Sequence, residues 1–162
     1  MIRDTAGNLY GTTPQGGHQS SACTFEQGYG GNGTCGVVFK VSPNGTETVL
    51  YRFTGGADGG NPVSGLVRDA SGNLYGTTQN GGSESSACMY FGTTCGVVFK
   101  LSPTGAETVL HTFTGGADGG NPIGLGLIQD LAGNLYGTAA AGGESFSTCG
   151  ETGCGVVFKL TP

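Results

Sequence analysis

The chain has 162 residues, one domain's worth of polypeptide. Only 10% of it is charged, the net charge is −5 and there are six lysines and arginines in all. That excludes the basic stripe a nucleic-acid binder needs, and no run of 18 apolar residues is long enough to span a membrane. Glycine fills 35 positions and proline 6, a share that signals disorder when it has no period. Here it has one.

GNLYGT occurs at 7–12, 72–77 and 133–138, and GVVFK at 36–40, 96–100 and 155–159. TGGADGGNP occurs at 54–62 and 114–122. Segments 36–62 and 96–122 share 22 of 27 residues. The period is about 60 residues, so the glycines punctuate a tandem repeat. In chain order, the middle unit starts with a short apolar run, Gly65 to Asp69, and an ASGN turn. LYGTT, Leu74 to Thr78, follows as a strand rich in aromatic and β-branched residues. A long loop, Gln79 to Cys95, leads to VVFKLS, Val97 to Ser102, which alternates Val97, Phe99 and Leu101 against Val98 and Lys100. A Pro103–Thr104–Gly105 turn precedes ETVLHTF, Glu107 to Phe113, where Val109, His111 and Phe113 alternate with Thr108, Leu110 and Thr112. No helical period is present.

Four antiparallel strands per unit of this length predict an all-β, β-propeller-type array of three four-stranded blades. Blade 1 covers about 2–54, blade 2 about 65–114 and blade 3 about 126–162, the last lacking an ETVLxxF strand, within a single repeat domain, 1–162. Shorter rungs would be expected of a β-helix, and a sandwich would not require near-identical units. The motifs GNLYGTT…GG, GVVFKLSP.G.ETVL..FTGG.DG..P and GL..D..GNLYG resemble the GloVer repeats, tandem repeats of secreted, surface-anchored bacterial proteins. The resemblance covers nearly the whole chain. It implies an extracellular propeller-like repeat and brings no established reaction with it. The cysteine pairs fall in the variable part of the unit.

Each repeat carries two cysteines in the loop between LYGT and VVF: Cys23 and Cys35, Cys88 and Cys95, Cys149 and Cys154. Six cysteines allow 15 pairings, and the repeat selects the one within each unit. Zinc would want constant spacing and usually histidine, whereas the spacing varies and only His18 lies near a pair. Disulfides point to an oxidising compartment, secreted or at the cell surface. The chain starts without a basic-then-apolar leader, so any secretion signal is expected to be removed already or to lie outside this sequence.

Catalytic constellations are sparse. His111 takes the place of Tyr51 in the previous repeat, a packing position, and His18 lies in a loop. No G-x-S-x-G, H-E-x-x-H or P-loop motif occurs. Asp4, Asp69 and Asp130 precede the xxGN turns and are suited to Asx turns. Asp58 and Asp118 in GGADGGNP are read first as turn formers and second as candidates for a ligand or calcium loop, since one carboxylate per loop is few for a cation wanting six to eight oxygens. Tyr10, Tyr75 and Tyr136 are candidate aromatic contacts for sugars, against a role in packing between blades. Asn32 and Asn44 sit in NGT triplets, read as turn residues.

The expectation is a non-enzymatic extracellular repeat protein with a structural, adhesion or assembly role and no cofactor beyond the calcium reading. Its two end faces are expected to be covered by identical chains, packed head to tail into a ring or filament, or by further blades of a longer propeller of which this chain is a fragment. The alternatives are a lectin-like glycan-binding propeller and, further off, a polysaccharide-active enzyme. A ligand is expected on the face made by the long loops, 13–35, 55–64, 79–95, 115–125 and 140–154.

Overall fold

The computed structural model describes residues 1–23, 33–88, 94–124, 126–143 and 149–162. They form three antiparallel sheets of four, four and three strands. Sheet 1 is β1 (Ile2–Arg3), β2 (Leu9–Thr13), β3 (Val37–Val41) and β4 (Glu47–Arg52). Sheet 2 is β5 (Val67–Arg68), β6 (Leu74–Thr78), β7 (Val97–Leu101) and β8 (Glu107–Thr112). Sheet 3 is β9 (Ile128–Gln129), β10 (Leu135–Ala139) and β11 (Val156–Leu160). Within each sheet, spatial order follows chain order, as hairpin connections dictate. The only helical pieces among the described residues are three-residue 3₁₀ turns beside the cysteines.

The sheets stack face to face. Sheet 1 presents Val38, Leu50, Tyr51 and Phe53 to Leu66, Leu74, Phe99 and Leu101 of sheet 2. Sheet 2 in turn presents Tyr75, Val98, Leu110 and Phe113 to Leu127, Leu135, Phe158 and Leu160 of sheet 3. Phe53 meets Phe99 edge to face at 5.1 Å between ring centroids, and Phe113 meets Phe158 at the same distance. Each sheet therefore has a leading face, which covers the next sheet, and a trailing face, which the previous sheet covers. The phenylalanine of VVFK lies across the glycine of LYGT on the neighbouring strand. An ideal Cβ on Gly76 would stand 2.7 Å from Phe99 Cζ, so only glycine fits beneath the ring.

The first strands β1, β5 and β9 line one open cavity, and a parallel bridge joins Gly65 to Gly126 in the lead-ins of sheets 2 and 3. Thr12 Oγ1 donates to Ser64 O at 3.0 Å, and Thr77 Oγ1 to Pro122 O at 3.2 Å, tying each second strand to the lead-in of the next sheet. At that seam Asn80 Nδ2 reaches Asn61 Oδ1 at 3.5 Å. Ala141 takes the place of Asn80 one unit later, and the buried Asn121 Oδ1 has no hydrogen-bond donor among the described residues.

Strict alternation along the fourth strand does not hold. The pairing with β3 and β7 shifts between Val38 and Phe39 and between Val98 and Phe99. Val109 stands opposite Phe99 while His111 stands opposite Val98, so Leu110 is bulged and the two flanking residues lie on opposite faces. The bulge lets ETVL-x-x-F place Leu110, His111 and Phe113 together on the leading face. A period of two read from sequence puts Val109 with His111; the inserted residue reverses that.

Candidate functional site

Antiparallel order sends the short turns, Asp4–Asn8 and Ser42–Thr46 and their repeats, to one end of each sheet. The cysteine loops and the TGGADGG loops gather at the other end. There they form one rim: Asn61 N donates to Cys35 O at 2.7 Å, and Gly82 N to Gly56 O at 2.9 Å across the seam between sheets.

Three disulfides join the cysteines within each unit: Cys23–Cys35, Cys88–Cys95 and Cys149–Cys154. The first two are wholly buried under the TGGADGG loop; an ideal Cβ on Gly60 would stand 3.2 Å from Cys23 Sγ. Cys154 is exposed, with no TGGADGG loop over it among the described residues. Each bridge closes a short loop and contributes roughly 2–3 kcal/mol by restricting the unfolded chain.

Asp58 locks the TGGADGG loop. Its carboxylate accepts from the Thr54 amide at 2.8 Å, from the Thr54 hydroxyl at 2.5 Å and from the Tyr51 hydroxyl at 3.1 Å. Asp118 repeats the arrangement, with Thr114 donating twice and His111 Nε2 at 3.1 Å in place of the tyrosine hydroxyl. Both oxygens of each carboxylate are thus engaged by the loop itself. No group of three or more His, Cys, Asp or Glu side chains is placed to hold a metal ion among the described residues. Burial and the Asp58 charge raise the Tyr51 phenol well above its ordinary range.

Sequence reasoning missed the neighbour of Asp58. Glu107, on the first residue of β8, lies at the outer seam between sheets 1 and 2, where it feels Asp58 and acts on Tyr51. Its Oε1 is buried without a hydrogen-bond partner among the described residues. Burial, with Asp58 second, pushes this carboxyl up to about 7. Its counterpart Glu47 is exposed, with no sheet packed before sheet 1 among the described residues. Nothing in the identical ETVL strings separates the two.

At the opposite end, Asp4, Asp69 and Asp130 each hold a tight turn. Asp69 accepts from the Asn73 amide at 2.8 Å, from the Asn73 side chain at 2.7 Å and from the Tyr75 hydroxyl at 3.0 Å. The same three bonds recur around Asp4 and Asp130. The asparagine side chains hold the Asp4 and Asp130 carboxyls below the usual range. At Asp69 burial opposes the shift, but the hydrogen bonds from Asn73 and Tyr75 outweigh it. These bonds also fix the tyrosines. Tyr75 is 4% exposed, with the Lys100 ammonium 5.8 Å from its ring centroid. Lys159 lies likewise over Tyr136, and Arg68 of sheet 2 over Tyr10 of sheet 1. His18 is exposed before the first disulfide, Asn44 Oδ1 accepts from the Thr46 amide in its turn, and Asn32 lies outside the described residues.

Two further surfaces stand out. An open cavity of about 530 Å³ lies among the first strands, lined by Arg3, Asp4, Arg68, Leu127, Ile128 and Gln129 among others. The larger surfaces are the outermost faces of the stack. Val38 and Val98 on the leading faces of sheets 1 and 2 are fully buried, whereas Val157, the same residue on sheet 3, is 81% exposed, and Ile128 on β9 of that sheet is 70% exposed. On the trailing side Phe99 is fully buried and Phe39 of sheet 1 only partly.

Fold and site define a class: an all-β tandem-repeat protein, one antiparallel sheet and one disulfide per unit. The profile of the Gloeobacter/Verrucomicrobia repeat matches residues 1–162, and the chain belongs to that family. No curated protein and no solved structure gives a match.

Proposed function

We propose that this chain is a β-propeller-type repeat protein of the extracellular space. Its role is structural, adhesive or in assembly, it is not enzymatic, and it associates with identical chains head to tail. The observation that carries this reading is the contrast between Val38 and Val98, covered by a following sheet, and Val157, the same side chain left open. The leading face of sheet 3 and the trailing face of sheet 1 are the two halves of a contact that the chain already makes twice. Exposed apolar area costs about 25 cal/mol per Å², which favours joining them between copies. The two surfaces differ, so the contact is heterologous and either closes into a ring or grows as a filament. Two copies would bring six sheets together, inside the usual propeller range of about four to eight blades.

Three disulfides, two of them buried in the sheet-to-sheet clusters, support an oxidising compartment. No helix among the described residues is long and apolar enough to cross a membrane. The recurring carboxylates Asp4, Asp69, Asp130, Asp58 and Asp118 are all engaged in holding turns, which supports scaffolding over catalysis. Negative-stain electron microscopy of the purified chain tests the reading: rings or filaments are expected, and isolated small particles at every concentration would refute it.

A glycan-binding reading has one observation in its favour, the open cavity with Arg3, Asp4, Arg68 and Gln129 on its wall, whose polar groups suit hydroxyl or carboxylate sugars. A glycan array with the native chain and Arg68→Ala tests it, and binding that Arg68→Ala leaves intact would count against the cavity.

A further inference from the structure

Two asparagines hold the seams between the sheets. Asn61 and Asn121 are buried, each precedes a buried proline, and both take the left-handed region, at φ 55° and 48°. Asn61 N donates to Cys35 O at 2.7 Å and its Nδ2 to Pro14 O at 2.8 Å, both in the unit before it. Its own carbonyl accepts from Gln79 N at 3.1 Å, in the unit after it. Asn121 repeats the pattern one seam later. Its N donates to Cys95 O at 2.7 Å, its Nδ2 to Gln79 O and Thr94 O at 3.0 Å, and its carbonyl accepts from Ala140 N at 3.2 Å. The two carbonyls around Nδ2 fix which end of the Asn121 amide carries the oxygen. Each side chain thus commits its NH₂ to the preceding unit.

The following unit answers the two side-chain oxygens differently. In the first seam Asn80 Nδ2 stands 3.5 Å from Asn61 Oδ1. In the second, Ala141 holds the same backbone place, bridged to Gly120 as Asn80 is to Gly60, and offers only a methyl group. Thr78, whose hydroxyl donates to Asn80 O at 2.8 Å, is likewise replaced, by Ala139. Ala139 and Ala141 are 5% and 3% exposed, so bulk solvent does not stand in for the lost groups. Asn121 has no exposed surface, and no group among the described residues donates to its Oδ1. A buried acceptor left bare loses the hydrogen bond that solvent gives it in the unfolded chain. Exchanging a carboxamide for a hydrogen also removes volume on the order of one water's share of the liquid, about 30 Å³. The first seam has an unpartnered oxygen too, on Asn80 itself, but there side chains fill the positions that alanine shortens in the second.

We propose that the seam between sheets 2 and 3 binds one water molecule as a fixed part of the structure. It donates one proton to Asn121 Oδ1 and the other to Ala141 O, the counterpart of the carbonyl that receives the Thr78 hydroxyl. Ala141 O already accepts from Gly120 N at 3.0 Å and has a second lone pair for this bond. The water takes the parts that the Asn80 amide and the Thr78 hydroxyl play one seam earlier. Two to four polar partners in an enclosed polar site are what a buried water needs. The site lies inside the seam, so it is independent of what covers the two end faces and of any ligand on the loops.

The test is a crystal structure of the native chain at high resolution, together with oxygen-17 magnetic relaxation dispersion in solution. Expected are one well-ordered peak about 2.7–3.2 Å from Asn121 Oδ1, and a nuclear Overhauser effect from water to the Ala141 methyl. Ala141→Asn, with circular dichroism unchanged, brings its own amide to Asn121 and should lower the count of long-lived waters by one. The two native measurements decide the matter should that variant fail to fold. No peak and no water contact at the Ala141 methyl overturn the proposal, as does an unchanged count in folded Ala141→Asn. A peak ringed by six or more oxygens at about 2.3–2.6 Å would be a cation and would overturn it too.

Discussion

The middle sheet and the two sheets beside it are written in nearly the same words but live in different surroundings. Every residue of β6 is buried, whereas in β2, with the same sequence LYGTT, only Gly11 is. β7 and β11 share VVFKL, yet Val98 has no exposed surface and Val157 is mostly in water. Burial here belongs to the neighbour, not to the residue: a unit of this repeat has two apolar faces and completes its core only between two others. That is the energetic logic of a one-dimensional array, in which the interfaces between units hold much of the stability.

The comparison can be broken by loading the two valines with charge. Val98→Lys buries an ammonium between sheets 2 and 3 and should cost about 4 kcal/mol or more, enough to unfold a chain of ordinary stability. Val157→Lys should change the unfolding free energy by less than about 0.5 kcal/mol at concentrations where the chain is monomeric, and cost more only where the native chain associates. Equal costs in the monomer would mean that the chain itself covers sheet 3. Truncating the stacked rings gives a smaller contrast. Phe99→Ala, at the fully buried centre of the first seam, should cost about 3–5 kcal/mol, and Phe39→Ala, half-covered, roughly 1–2 kcal/mol, since less transferred area is lost.

A methyl group sharpens the same contrast. Gly76→Ala pushes Cβ to 2.7 Å from Phe99 Cζ and 2.9 Å from Leu66 Cδ2, both held by sheet 1. Overpacking of this kind costs about 1–3 kcal/mol. Gly11→Ala meets Phe39 equally closely, but that ring has room to swing outward, so thermal melts should show the smaller loss.

The smallest effect is in pH. Glu107, with its carboxyl raised to about 7 in the folded chain, takes up protons more readily folded than unfolded. Its contribution is therefore complete below about 4.5 and fades as pH rises through 7. Partial solvent access limits the loss to about 1 kcal/mol. Glu107→Gln should flatten this slope in melts between pH 4 and 8, and Glu47→Gln, on the exposed copy, should leave it unchanged. The Asp4, Asp69 and Asp130 turns act in the other window. Their lowered carboxyls contribute above the ordinary aspartate value, and that contribution is lost as pH falls through and below it.

Much of the strand plan was legible because it is written three times. LYGTT becomes β2 and β6 and VVFKL becomes β7 and β11, each at its own bounds, and the cysteines pair within each repeat. The first strands are shorter than their apolar runs suggest, Val67–Arg68 out of Gly65 to Asp69, because Gly65 instead bridges the lead-in of the next sheet. The bulge at Leu50 and Leu110 escaped notice, since an inserted residue leaves no mark in a strand of valine, leucine and threonine. The aspartate of GGADGG was legible as a turn former, but not its threonine and tyrosine partners, which lie four and seven residues back. The Glu107–Asp58 approach was invisible for another reason: it spans two repeats, and only the stacking of sheets creates it.

The central claim is that a sheet of this repeat is complete only between two neighbours. Light scattering coupled to size exclusion, on the native chain over a hundredfold range of concentration, tests it most directly. The account predicts a mass that rises above 16.1 kDa in whole multiples of the chain and returns to one chain in Val157→Lys. A folded, monodisperse particle of one chain at every concentration would contradict it.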